Sequence, residues 1–482
     1  MVSVDAELKV GSATVSESLS VGGDSRFDQD IVIAGALATF DNAEMGGGLS
    51  ILQSLLVDDC LSIGGPLYSS GSMSISQMTF CGSRIVLVDG LSVPGELSVS
   101  GVGRFGQVVS IGSTVNASGG IAVQSSLSVG LLAHVGSCLS VCEDLFVNDD
   151  LSTSGSVEIL GSAAIGQDLS VEGSLWSSST LSVIGISEFM GDVIVDGSSS
   201  IWGPVRINDD VTLNQAVSIS EEVQVGGPMS CSQAVDVGSS LTLFGNIVVC
   251  GDSPSIRGAA VCGSSMSVLG GTSIEDSLLI QASVEIRGGI SVDGSVQFAI
   301  DVSIVEGSVY ARGIIAEESI RADGSLTVAQ GGYIGSDLLV AGHLCVSRSI
   351  DIQERLDVSD QVSIGGSFNV RGEIRGCDGI DIVSDATVGS CLFVSESLII
   401  SKDLSVEDQS WLGDSISVGG GILVNQDAQF YGDTELTSRF SVGEAAVFDR
   451  GAFVGGPLAV ANGVNFAESC RVGGSTSLLD LI

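Results

Sequence analysis

Few stretches of this chain place reactive side chains close together. Residues 134–144 read HVGSCLSVCED, which brings His134, Cys138 and Cys142 near one another and follows them with Glu143 and Asp144. Imidazole, thiolate and carboxylate are the ligands of zinc, but structural zinc sites pair cysteines and histidines at short fixed spacings, and this spacing matches none of them. GVGRFG at 101–106 carries the glycine pattern of a dinucleotide-binding turn, a pattern with meaning only between a strand and a helix. His343, the only other histidine, has no nucleophile or electropositive pocket in the sequence around it, so no catalytic base is assigned to it. NAS at 116–118 is a formal glycosylation acceptor without an export signal to bring it into use. Acyl transfer by a hexapeptide helix would need a catalytic histidine, an inserted loop and small inward residues, none of which is found. The expectation is a chain that is not an enzyme, with no catalytic residue, no cofactor and no specific metal site.

Composition narrows the partners. The 58 acidic residues against 17 basic ones give a net charge of −41, which repels nucleic acid and anionic membranes and attracts at most a loose atmosphere of divalent cations. No apolar run is long enough to span a bilayer, and MVSVDAELKV lacks the basic and apolar regions of a secretory signal. A cytoplasmic location is expected, with a virion or cell surface as the alternative. The 11 cysteines are odd in number and follow no spacing, as in a reducing compartment. Cys81, Cys231, Cys262 and Cys470 fall at inward positions of the pattern below, where they serve as small apolar residues. Cys60, Cys250, Cys345, Cys377 and Cys391 fall outward or in corners.

The elements that carry these residues come from a repeat of six. Two blocks precede Ala13, forty run in phase from Ala13 to Asp252, Ser253 is inserted, and thirty-eight more run from Pro254 to Leu481. A block reads large apolar, polar, β-branched apolar, variable, small, variable. Positions one and three share a face, as alternate residues of a strand do. Position three is Val, Ile, Leu, Met, Phe or Tyr in 69 of 80 blocks, and position one is Leu, Ile, Val, Met or Phe in 58 of 80. At 16% charged composition roughly 25 charges would fall by chance on those 160 positions, and none does, which burial explains. Pro66, Pro204, Pro228 and Pro457 sit at position six and Pro94 at position four, off the ladder. Pro254 sits at the phase break. Positions four to six are therefore corners, where glycine's backbone freedom is expected to be used. Trp176, Trp202 and Trp411 all fall outside the core positions.

Three-residue strands between three-residue corners predict an all-β fold: one continuous, uncapped parallel β-solenoid over residues 1–482, with phase shifts near 12 and at 253. Phe430, Phe448 and Phe466 recur at eighteen, as do Thr434, Ala452 and Cys470, so three sides and about 18 residues per coil are expected. About 26 such coils would make a rod about 125 Å long. Left-handed hexapeptide acyltransferases carry a small residue where this chain has Leu, Ile or Val. Blocks such as LSVEGS, VEIRGG and ISVDGS instead resemble the bactofilins over nearly the whole chain, and hexad repeats of viral fibre shafts look similar. The bactofilin resemblance implies a right-handed triangular helix and a filament-forming cytoskeletal role.

Because the hexads run from Val2 to Leu481, the terminal coils are expected to offer open ladder edges and apolar cross-sections. A heterologous contact between such ends does not close, so it grows a filament of identical subunits. The residues expected at that contact are Val2, Val4, Leu8 and Val10 at one end, and Cys470, Val472, Leu478 and Leu481 at the other. The rival reading is the shaft of a viral or cell-surface fibre.

Overall fold

Each hexad becomes a strand and a corner. The computed structural model describes residues 2–249, 255–263, 266–268, 272–281, 284–286, 288–299, 302–304, 307–376 and 379–478. These form two compact units, Met1–Ser239 and Ser240–Ile482, each a parallel β-solenoid. Among the described residues there is no helix.

In the first unit a strand pairs in parallel with the strand three further along the chain. Leu37–Thr39, Leu55–Val57 and Met73–Ile75 stack on one side, and Ala43–Met45, Leu61–Ile63 and Thr79–Cys81 on the next. Leu49–Ile51, Leu67–Ser69 and Ile85–Leu87 stack on the third. A coil is therefore three blocks. Positions one and three point inward: Leu97 and Val99 are both 1% exposed. The second unit repeats the scheme, with Leu326, Leu344 and Val362 stacked in register along one inward column. Its aromatic column is closely packed. Phe430 and Phe448 stack at 4.6 Å, Phe448 and Phe466 at 4.9 Å, and Phe440 meets Phe430 and Phe448 edge-on from another side.

Coil length varies by one residue at three places. Val2 pairs with Leu19 and Leu8 with Ser25, one residue closer than the pairing of Ala13 with Ile31. In the second unit Leu241 pairs with Ala260 and Ile247 with Met266, one residue further apart. Ser253 and Pro254 themselves lie outside the described residues.

The third place corrects the hexad reading. Strict phase puts Ser308 and Tyr310 inside, yet Val309 and Ala311 are buried and Tyr310 is 44% exposed. Val309 pairs with Ile290 below and Leu326 above, so one coil gains a residue and the next loses one. Burying Val309 and Ala311 and releasing a serine and a phenol to solvent favours the slip.

The corners also differ from expectation. Only Gly463 among the described glycines has a positive φ, at 156°. Many of the other corner glycines answer a different need, the close stacking of coil on coil. A Cβ on Gly106 would collide with the carbonyl oxygen of Val88, and one on Gly413 with that of Ser395.

Candidate functional site

Strand stacking removes the apparent chemistry of the glycine pattern. Gly103–Phe105 is a strand with Gly103 and Phe105 inward, paired with Ile85–Leu87 and Ile121–Val123. No helix follows to receive a pyrophosphate. His134 is exposed at the middle of the strand Ala133–Val135, and Cys138 and Cys142 are exposed in the corners before and after the next strand, Leu139–Val141. The neighbouring carboxylates bind within the fold. Glu143 Oε2 accepts from Ser125 Oγ at 2.7 Å and Ser126 Oγ at 3.2 Å, and Asp144 accepts the backbone N–H of Ser162 at 2.9 Å. His343 Nε2 lies 3.2 Å from Asp360 Oδ2 on the surface.

Cys81, Cys231 and Cys262 are buried, and burial pushes the Cys81 thiol upward in pKa, away from the reactive thiolate. Cys345 is exposed, and Cys60 and Cys391 are half-buried. Cys250 and Cys377 lie outside the described residues.

The inward columns change character towards both ends of the sequence. Between Leu19 and Val460 the described apolar inward side chains are almost all buried, whereas Val2 is 49% exposed and Val4, Leu8 and Val10 are half-buried. At the other end Phe466, Cys470 and Val472 are half-buried. Leu478 belongs to the strand Thr476–Leu478, and its side chain, with Leu481, lies outside the described residues.

Sequence reasoning missed what the acidic corners do. The carbonyl at position six joins the ladder, as Gly48 O accepts from Ile31 N, which leaves its N–H unused. A side chain one coil below supplies the acceptor: Asp30 Oδ1 takes the Gly48 N–H at 2.6 Å. Asp168 takes that of Ile186 at 2.8 Å, while its own N–H donates to Asp150 at 3.1 Å. In the second unit Asp337 caps Arg355, Asp385 caps Asp403 and Asp403 caps Gly421, and Ser349 does the same for Ser367. Caps of this kind satisfy donors that the ladder leaves open. The signal was present as aspartate and serine recurring at position six, but its meaning depends on the coil length.

Replacing Asp168 by alanine is expected to speed hydrogen exchange at the Ile186 amide about fivefold, the factor for one hydrogen bond of ~1 kcal/mol. Asparagine, which keeps the acceptor, should leave it near wild type. Equal exchange in both variants would show that the cap does not hold that amide.

Stacking also gathers Asp192, Asp209 and Asp210, whose carboxylate oxygens lie within 4.8 Å of one another on the surface. Trp176 is half-buried, while Trp202 and Trp411 are 62% and 43% exposed.

Fold and surface together define a repeat protein of the parallel, three-sided β-solenoid class. No family model, no curated protein and no solved structure matches the chain.

Proposed function

We propose that this chain is a non-enzymatic structural protein that assembles head-to-tail through its terminal coils into filaments, as its resemblance to the bactofilins implies. The observation that carries the reading is the repeated contact of coil on coil: buried apolar columns such as Leu326, Leu344 and Val362 stack in register through a parallel ladder that a further coil extends. Apolar columns gain by covering one another, and parallel coils offer a ladder edge on each side of such a contact. The partner is a second copy, no nucleotide is required, and divalent cations gather only loosely on the acidic surface. A net charge of −41 opposes sideways bundling at low salt and leaves end-to-end growth as the favoured mode. The proposed setting is the cytoplasm.

Electron microscopy and light scattering across a concentration series test this. Open filaments that lengthen with concentration are expected, and Val4→Asp or Val472→Asp should abolish them while circular dichroism stays that of a β-solenoid. Uniform short rods at every concentration would sink the proposal.

A fibre shaft on a virion or cell surface is the second reading. Exposed apolar side chains along the lateral surface favour it, such as Ile184 at 60% and Trp202 at 62% exposed. That reading expects a stoichiometric lateral oligomer, such as a trimer, which mass measurement in solution would detect.

A further inference from the structure

Coils 393–471 of the second unit carry a cluster of aromatic side chains on the surface. Phe393 and Trp411 are register partners on adjacent coils, and their rings meet edge-on with centroids 5.7 Å apart. Trp411 meets Tyr431, in the corner that follows the strand one coil on, Ala428–Phe430, at 6.5 Å and an interplanar angle of 65°. The three rings thus form a contiguous strip bending round the corner, with Trp411 43% and Tyr431 42% exposed. The Tyr431 hydroxyl donates to Gln429 Oε1 at 2.8 Å, which fixes the amide beside the strip.

Past that corner lies an open groove of about 630 Å³. Its lining steps from coil to coil through Ile399, Ser417, Glu435, Phe453 and Arg471, successive register partners on one side of the solenoid. Five coils at ~4.8 Å give it a length of about 20 Å, suited to a polymer segment.

We propose that this groove and the aromatic corner beside it bind an uncharged polysaccharide chain. A sugar ring is apolar on its C–H faces and polar at its rim. It is held best by exposed aromatic rings with carboxylate or amide acceptors beside them. Trp411, Tyr431 and Phe453 supply the rings, and Asp433, Glu435 and Gln429 the acceptors.

Charge selects within the class. Asp433 and Glu435 outnumber Arg471, the one cation among the described residues lining the groove, on a chain with net charge −41, so sulfated, phosphorylated or uronate polymers are repelled. The backbone argues against an extended peptide. The strand Thr434–Leu436 is paired on both edges, with Ile416–Val418 and Ala452–Val454, so no ladder edge is open there to a further strand. Sugar hydroxyls need only the side chains.

The test is isothermal titration of the full chain with cellohexaose, mannohexaose, laminarihexaose and chitohexaose, with oligogalacturonate and hexalysine as charged probes. At least one uncharged hexasaccharide is expected to bind with a sub-millimolar Kd, and oligogalacturonate is expected not to. Trp411→Ala and Phe453→Ala should each weaken binding about tenfold, the upper range for loss of one aromatic contact. Trp411→Phe should recover most of it. Both residues lie on the surface, and unchanged circular dichroism and filament formation would show that only binding was lost. The proposal is overturned if no uncharged hexasaccharide binds at millimolar concentration, if the alanine variants bind as wild type does, or if hexalysine alone binds.

Discussion

Aspartate at position 111 is expected to open the first unit at that coil, while aspartate at position 110 leaves it intact. Ile111 is 1% exposed and stacks in register between Val93 and Val129, in an interior whose inward columns carry no charge. An ionised carboxylate there has no partner, and an uncompensated buried charge costs about 3–5 kcal/mol. Ser110 stands on the same strand, exposed between Ser92 and Ser128, where a charge meets water and no like-charged neighbour in the column. Its change should stay within ~0.5 kcal/mol. Because each coil contacts only its neighbours, the damage in the Ile111→Asp variant should be local. Limited proteolysis is expected to show new cleavage near residues 91–129, and thermal unfolding should begin earlier. Equal behaviour of the two variants would contradict the inward and outward assignment of this strand.

The second large effect concerns the aromatic column. Phe448 is 1% exposed, lies nearly parallel to Phe430 and Phe466, and takes the edge of Phe440 at 5.6 Å. Phe448→Ala removes the ring and leaves a cavity that stacked coils cannot close, at a cost of about 3–5 kcal/mol. Phe466→Ala should cost distinctly less, because Phe466 is half-buried and, among the described residues, stacks on one ring. Phe448→Leu should recover part of the loss. Hydrogen exchange of the amides in strands Ala428–Phe430 and Ala445–Phe448 reads the difference locally, which suits a protein whose units need not unfold together. Equal losses for Phe448→Ala and Phe466→Ala would show that the column does not hold these coils.

Much of the fold was legible from residue order. Leu97 and Val99 read as inward and Ser98 as outward from one strand alone, since alternation is local and an interior position rejects charge whatever the coil above it. Phe430, Phe448 and Phe466 revealed the eighteen-residue coil because large rings in one column must stack. Tyr310 was misplaced because a strict period cannot see that a one-residue slip lets Val309 and Ala311 take the inward places. The candidate site was less legible. The exposed HVGSCLSVCED residues drew attention by sequence proximity, whereas Phe393, Trp411 and Tyr431 are brought together only by stacking.

By itself the sequence determined the class of the molecule: hexads, inward columns free of charge, and corners of small and acidic residues. Only the tertiary structure decided what lies one coil away. It set Asp168 beneath Ile186, drew Asp192 towards Asp209 and Asp210, joined Trp411 to Phe393 and Tyr431, and turned corner glycines into close contacts of backbone on backbone. The physical reason is the separation of two periods. A six-residue repeat dictates which side of a strand meets water, but neighbours across coils are set by how many residues close each turn, and at Val309 that number shifts by one because burial gains from it.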